Sequence, residues 1–138
     1  MKMTPAQLDA FLRETRIAKL VTLYADGRPT SVPVWFEWDG EAARLFTSVD
    51  SGKVGRIEAD PRVCLSVEEA VGVGEAWVTI EGNATIETEG GMELARRLAY
   101  RYYSPEKAAA TLPGWERMAA KWVVVKVAPT RIRSLAPG

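Results

Sequence analysis

The chain has no histidine and only one cysteine, Cys64. That removes histidine-ligated zinc and haem, the Ser-His-Asp triad and the Cys-His pair from the candidate chemistries. With one thiol there is no internal disulfide, and Cys64, inside VCLSV, reads as a small buried hydrophobe. Neither sign of charge is in excess: 18 Lys and Arg face 18 Asp and Glu. A balanced chain lacks the electrostatic footprint of a nucleic-acid binder or a polybasic membrane patch. Zero net charge also leaves little to hold copies of the chain apart. The longest apolar run, WVVVKVA, is too short to span a bilayer, and no signal peptide precedes the first helix. The sequence predicts a cytoplasmic protein with no membrane, nucleic-acid or metal partner. It shows no repeat, low-complexity tract or linker, and its 138 residues are expected to form one domain, 1–138.

What is present is dense in local signals. Thr4-Pro5-Ala6-Gln7 is a capping box with proline at the first helical position, and Leu8, Phe11 and Leu12 continue it as an amphipathic helix to about Glu14. A strand over 17–24, the turn Asp26-Gly27 and a return strand over 29–38 follow. In that return strand Val32, Val34, Phe36 and Trp38 share one face, while Ser31, Pro33, Trp35 and Glu37 share the other. Both faces carry bulk, so the second must be covered by a partner subunit or a flat ligand. Asp39-Gly40 turns into a strand over 43–48, completing an antiparallel meander. Further strands are predicted over 62–68, 77–87 and 121–134, with Gly82 at a bend and Pro129 at a break or bulge. Helices are predicted over 51–59, 92–103 and from Ser104-Pro105 to about Pro113-Gly114, with a further turn near 115–120. On the 92–103 helix the pattern puts Ala95, Leu98, Ala99 and Tyr102 inward and Arg96, Arg97 and Arg101 outward. The class expected is mainly β: a six-stranded antiparallel split β-barrel of Greek-key type with peripheral helices over its openings.

The chemistry concentrates in FTSVDSGKVGRIEADPRV, residues 46–63. A strand ends at Phe46-Thr47-Ser48, a turn follows, and a helix starts at Ser51. Thr47, Ser48 and Ser51 gather at that helix N-terminus with Lys53 just inside it and Arg56 one turn on. Hydroxyls, free backbone N–H groups and a lysine together favour an anion, above all a phosphate.

This run resembles the flavin-phosphate segment of the pyridoxamine 5'-phosphate oxidase-like split-barrel family. That family shows an aromatic-Thr-Asn/Ser strand end, then Ser-x-Lys, then a short helix closed by Asn/Asp-Pro-Arg-Val. Here these are Phe46-Thr47-Ser48, Ser51-Gly52-Lys53 and Asp60-Pro61-Arg62-Val63. DGRPTSVPVWFEWDG looks like the family's second strand, and WVTIEGNATI like its long strand with a mid-strand glycine. The resemblance implies a homodimer with the cofactor at the subunit interface, and a flavoprotein oxidoreductase acting on a small conjugated substrate. FMN is the cofactor implied; coenzyme F-420, a deazaflavin, is the alternative, because the PVWFEWDG strand and the Arg-Arg/Arg-Tyr-Tyr helix look like the short deazaflavin-dependent branch. A non-catalytic flavin-binding or sensing module is the third reading. The resemblance assigns Lys53 to the cofactor phosphate, with Thr47, Ser48, Ser51 and Arg56 around it. It places Val34, Trp35 and Phe36 along the ring and Trp77 as a further wall, from this subunit or its partner. The vitamin B6 oxidase itself uses a longer C-terminal segment with a histidine that this sequence lacks, which argues against that activity. No catalytic side chain is identified; Tyr100, Tyr102, Tyr103 and Glu37 are the candidate proton donors.

Overall fold

The computed structural model describes residues 1–138. Seven strands form one antiparallel sheet: β1 (Ala18–Leu23), β2 (Pro29–Val34), β3 (Glu37–Trp38), β4 (Ala43–Ser48), β5 (Arg62–Glu68), β6 (Trp77–Glu87) and β7 (Trp122–Leu135). Four helices accompany them: α1 (Pro5–Arg13), α2 (Gly52–Ala59), α3 (Gly91–Tyr102) and α4 (Pro105–Glu116). The Thr4 capping box forms both of its bonds, Thr4 Oγ1 accepting from the Gln7 amide and Gln7 Oε1 from the Thr4 amide. α4 runs through Pro113 to Glu116, beyond the stop expected at Pro113-Gly114.

The sheet order is β2-β1-β5-β6-β7-β4-β3. Its two edges, β2 and β3, are consecutive in the chain and separated only by Trp35 and Phe36. One extended segment therefore leaves the first edge and joins the last. Counted as a single strand it closes a six-stranded split barrel; interrupted at the split, it makes seven. The expected strand over 29–38 is thus two strands serving opposite edges, and the simple meander of three strands is replaced by that crossing.

The inward face of the barrel is apolar. Leu20, Phe36, Leu45, Leu65, Val67, Val78, Ile80, Val125 and Val127 are fully buried there, with Leu12 and Phe11 of α1 packed against them. Val32, Val34, Phe36 and Trp38 do share the core face. Cys64 departs from its expected place: it is half-buried on the outward side of β5, where burial raises its thiol pKa.

α3 and α4 lie over β4 and β7 and supply a second layer. Leu94, Leu98 and Val124 pack with Trp35, Phe46 and Tyr102. The second face of the crossing segment is therefore covered in part from within the chain, at Trp35 and Glu37 by α3, while Pro33 stays exposed. The Trp35 ring stacks on Tyr102 at 4.8 Å and 3°, and meets Tyr103 edge-on at 4.8 Å. Arg97 and Arg101, expected outward, are both engaged. Arg97 forms a two-pronged pair with Glu37 (2.7 and 3.1 Å), and Arg101 donates to the Arg13 and Glu14 carbonyls at the end of α1 (2.7 and 2.8 Å).

Gly82 marks the bend of β6. The register with β7 slips there, Glu81 facing Arg131 and Gly82 facing Pro129, so Thr130 is the extra residue of a bulge. The Thr130 hydroxyl donates to the Glu81 carbonyl at 3.1 Å, which satisfies that group locally. A Cβ on Gly82 would lie 2.1 Å from the Ala128 carbonyl oxygen. Backbone cannot yield as a flexible side chain does. Gly82→Ala is expected to destabilise the chain by about 3 kcal/mol, the upper end for overpacking, read as a lowered urea midpoint. An unchanged midpoint would show that the bulge relaxes freely.

Candidate cofactor pocket

An open groove of about 480 Å³ lies beside the split, lined by Ile17, Pro33, Val34, Trp35, Phe46 and Lys53. Its apolar wall comes from the end of β2 and the residue after it. The strand must stop there because its next residues belong to the opposite edge: Pro33 and Val34 pair with Lys19 and Ala18 of β1 on one side only, and Trp35 is the first residue past the ladder. Tyr102 occupies the other face of Trp35. The groove's dimensions suit a flat, drug-sized ligand.

The polar end is built by the turn from β4 into α2. Thr47 is buried, and its Oγ1 lies 3.1 Å from Ser51 Oγ. Ser51 is the N-cap of α2, yet its side chain makes no capping bond. The amides of Gly52 and Lys53 find no acceptor in the chain, as expected of a helix start, and carry the positive end of the helix dipole. Ser48 Oγ instead accepts from the Asp50 amide at 3.3 Å and serves the turn.

Two cations stand at this end without a carboxylate partner. Neither Lys53 nor Arg56 takes part in any ion pair of the chain. Burial, and secondarily the Arg56 charge, lower the Lys53 pKa below its ordinary value. Arg56 folds back over the start of its own helix. Its Nε donates to the buried Thr22 hydroxyl at 2.8 Å, and its Nη1 lies 2.9 Å from where a Gly52 Cβ would sit. Gly52 is the residue that lets the guanidinium reach the helix N-terminus. Half-buried cations, free amides and hydroxyls at one point suit an anion with several acceptor oxygens, a phosphate or phosphodiester.

The residues named from the sequence thus divide. Val34, Trp35 and Lys53 line one groove; Thr47 and Ser51 bond each other at the start of α2 next to Lys53, and Arg56 lies over that start while lining a separate hollow with Tyr24, Gly52 and Asp60. Phe36 does not line it: its side chain is fully buried in the barrel core, because strand alternation turns it opposite to Trp35. Trp77 is also elsewhere. It lines a separate polar hollow with Glu68, Glu69, Thr79 and Arg133, on the strands β5 to β7. The candidate proton donors fare poorly: Glu37 is held by Arg97, and the Tyr102 hydroxyl is bonded to backbone. Ile17, Pro33 and Phe46 were not singled out as ring contacts. Pro33 and Ile17 carry a sequence signal nonetheless, an apolar residue on the face of a strand where a polar one belongs.

Residues 4–136 match the family described as pyridoxamine 5'-phosphate oxidase. A biliverdin reductase of Mycobacterium tuberculosis that depends on reduced coenzyme F-420 is 36% identical over 100 residues, which is 70% of each chain. The crystal structure of a conserved hypothetical protein from Mycobacterium tuberculosis superposes with a TM-score of 0.76 at 30% identity, over 96% of this chain and 84% of that one. A solved F-420 reductase shares the fold with a TM-score of 0.71 at 24% identity, over 90% of this chain and 94% of that one. A matching family model over nearly the whole length, joined to a split barrel with a phosphate-suited helix start beside its seam, makes this chain a member of the pyridoxamine 5'-phosphate oxidase family.

Proposed function

We propose that the chain is a reductase that holds a deazaflavin in the groove beside the split, ring along Pro33-Val34-Trp35 and phosphate at Lys53. The observation that carries this reading is Lys53 itself: a half-buried lysine with no acidic partner, at the polar end of an apolar groove. Its lowered pKa means that the fold disfavours its charge, and an anionic ligand relieves that cost. The similarity to an F-420-dependent reductase supports the deazaflavin. FMN is the second reading, and a specific feature favours it: two cations, Lys53 and Arg56, at one helix start suit the dianion of a phosphate monoester.

The bound ring would supply the redox chemistry, accepting or donating hydride. The chain's own contribution is placement. Lys53, Arg56, Thr47 and Ser51 fix the phosphate, Trp35 and Val34 support the ring along one side, and the apolar wall excludes water from it. A small conjugated substrate would lie against the open side. A second copy of the chain is the proposed cover for that side, in a homodimer. Val21, Leu23 and Cys64, which line a shallow apolar hollow on the outer side of β1 and β5, support such a contact.

Titrating the purified protein with deazaflavin and with FMN tests the reading. Tighter binding of the deazaflavin, with its fluorescence altered, is expected; tighter FMN binding would favour the second cofactor, and binding of neither would refute both. Lys53→Met is expected to weaken binding of the preferred cofactor about tenfold to a hundredfold, the loss of one charge-assisted bond to phosphate. The same variant should not lose stability. With the folded-state pKa of Lys53 lowered, its charged form is a cost at neutral pH that disappears only as pH rises past the ordinary lysine value. A small rise in the thermal midpoint without cofactor is therefore expected, and a marked fall would make Lys53 structural. Trp35→Ala should weaken binding of the whole cofactor but not of inorganic phosphate; equal affinity for the cofactor would put the ring elsewhere. Sedimentation at micromolar concentration should report a dimer, and a monomer that binds cofactor tightly would contradict the shared site.

A further inference from the structure

Phe36 lies between β2 and β3, in neither ladder, and its amide has one acceptor in the chain: the Tyr102 hydroxyl, at 3.3 Å. The same hydroxyl donates to the Arg16 carbonyl at 2.6 Å. Arg16 directly precedes Ile17 and Phe36 directly follows Trp35; Ile17 and Trp35 both line the groove, one step beyond the Ala18–Val34 rung of the β1–β2 ladder, each at the rim given by its own segment. The Tyr102 ring meanwhile stacks on Trp35, nearly parallel at 4.8 Å. One residue of α3 thus bonds the backbone next to both of these lining residues and supports the ring wall by stacking. It is the last residue of that helix, whose preceding turn is anchored by Leu98 in the core and by Arg97 on Glu37.

We infer that Tyr102 is the positioning residue of the groove: its hydroxyl fixes the spacing between the Ile17 rim and the Trp35 rim, and so the width available to a flat ring. This rests on the cofactor reading above. Tyr102 is not a proton donor in this role, because its single proton faces backbone carbonyls, that of Arg16 at 2.6 Å and that of Phe36 at 3.5 Å, and its ring stacks on the face of Trp35 away from the groove. The chemistry is suited to the task. A phenol is rigid, and it can donate and accept at once, so it can bridge a carbonyl and an amide that do not bond each other directly. The β1–β2 ladder holds the two segments as far as Ala18 and Val34, and beyond that last rung the Tyr102 bridge is the hydrogen-bonded link between them.

Tyr102→Phe tests this, since it keeps the stack and removes only the bridge. Binding of the deazaflavin and FMN is expected to weaken about fivefold to tenfold, the loss expected from one or two neutral hydrogen bonds that act through geometry. The visible circular dichroism of the bound cofactor should change, and the affinity for inorganic phosphate should stay as in the unaltered chain. A structural defect alone would lower phosphate affinity and cofactor affinity together and leave the dichroism of the remaining complex unchanged, and would overturn the inference. So would a variant that binds both cofactors as the unaltered chain does, with the same spectrum. If the unaltered chain binds neither cofactor, the function proposed above fails instead, and hydrogen exchange still decides the clamp. The Phe36 amide should be protected in the unaltered chain although it lies outside both ladders, and should exchange faster in Tyr102→Phe at matched global stability. The same measurement on the unaltered chain serves if the variant does not fold. A Phe36 amide that exchanges as fast as an exposed loop would overturn the clamp.

Discussion

The whole architecture depends on one crossing. Between Val34 and Glu37 the chain passes from one edge of the sheet to the other, and only two residues make the passage. A sheet closed this way has no long free edge to cap, but it has a seam. The seam is held from one side by the core, where Phe36 is fully buried, and from the other by α3. Arg97 grips Glu37, Tyr102 accepts from the Phe36 amide, and the Tyr102 ring backs Trp35. Three consecutive residues are thus fixed by one helix. The groove exists because the seam cannot be zipped: Pro33 has no amide hydrogen to give, and the residues after it are already bound elsewhere.

The polar end of the groove follows from a second local constraint. β4 must end before the chain can turn into α2, and the turn leaves Thr47 buried with its hydroxyl against Ser51. The helix that starts there points its free amides toward the groove end where Lys53 stands. Arg56 is brought back over the same point by Thr22, a residue of β1, and by the lack of a side chain at Gly52. Stability and function are opposed at this place. A half-buried lysine, with an arginine beside it and no counter-charge, costs the fold something, and the lowered Lys53 pKa, owed first to burial and then to Arg56, is the sign of it. In the proposed reading a phosphate would remove that cost, and ligand affinity would draw on a conflict already built into the chain.

Much of this was legible in the sequence, wherever the signal was local. The capping box of α1, the bounds of β4, β5 and β6, the bend at Gly82 and the helix start at Ser51 are all short-range patterns, and all form as read. The break at Trp35-Phe36 was not legible, because the alternation of Val34, Phe36 and Trp38 runs straight through it. Side chains keep their faces while backbone partners change, and only closure of the barrel decides where. For the same reason Phe36 looked like a ring contact and Trp35 looked uncovered. The bulk of Trp35 needed a cover, but pattern alone could not say that Tyr102, Tyr103 and Trp115 would provide much of it. Trp77 is assigned by resemblance, as a wall from this subunit or its partner; within the chain it lines a charged hollow on β6, away from the groove. Arg97 and Arg101 read as outward, and Arg97 is exposed; periodicity records a side chain's direction and not that a carboxylate or a helix end waits there.

The account stands on one claim, that ring and phosphate of a flavin-type cofactor occupy the two ends of the groove beside the seam. Backbone amide NMR during titration with deazaflavin or FMN reads both ends at once. The account predicts large shifts at Gly52 and Lys53, whose amides have no acceptor within the chain, together with shifts at Val34 and Trp35, and none around Thr79 and Arg133. Shifts centred on Trp77, Thr79 and Arg133, with Gly52 and Lys53 unmoved, would contradict it.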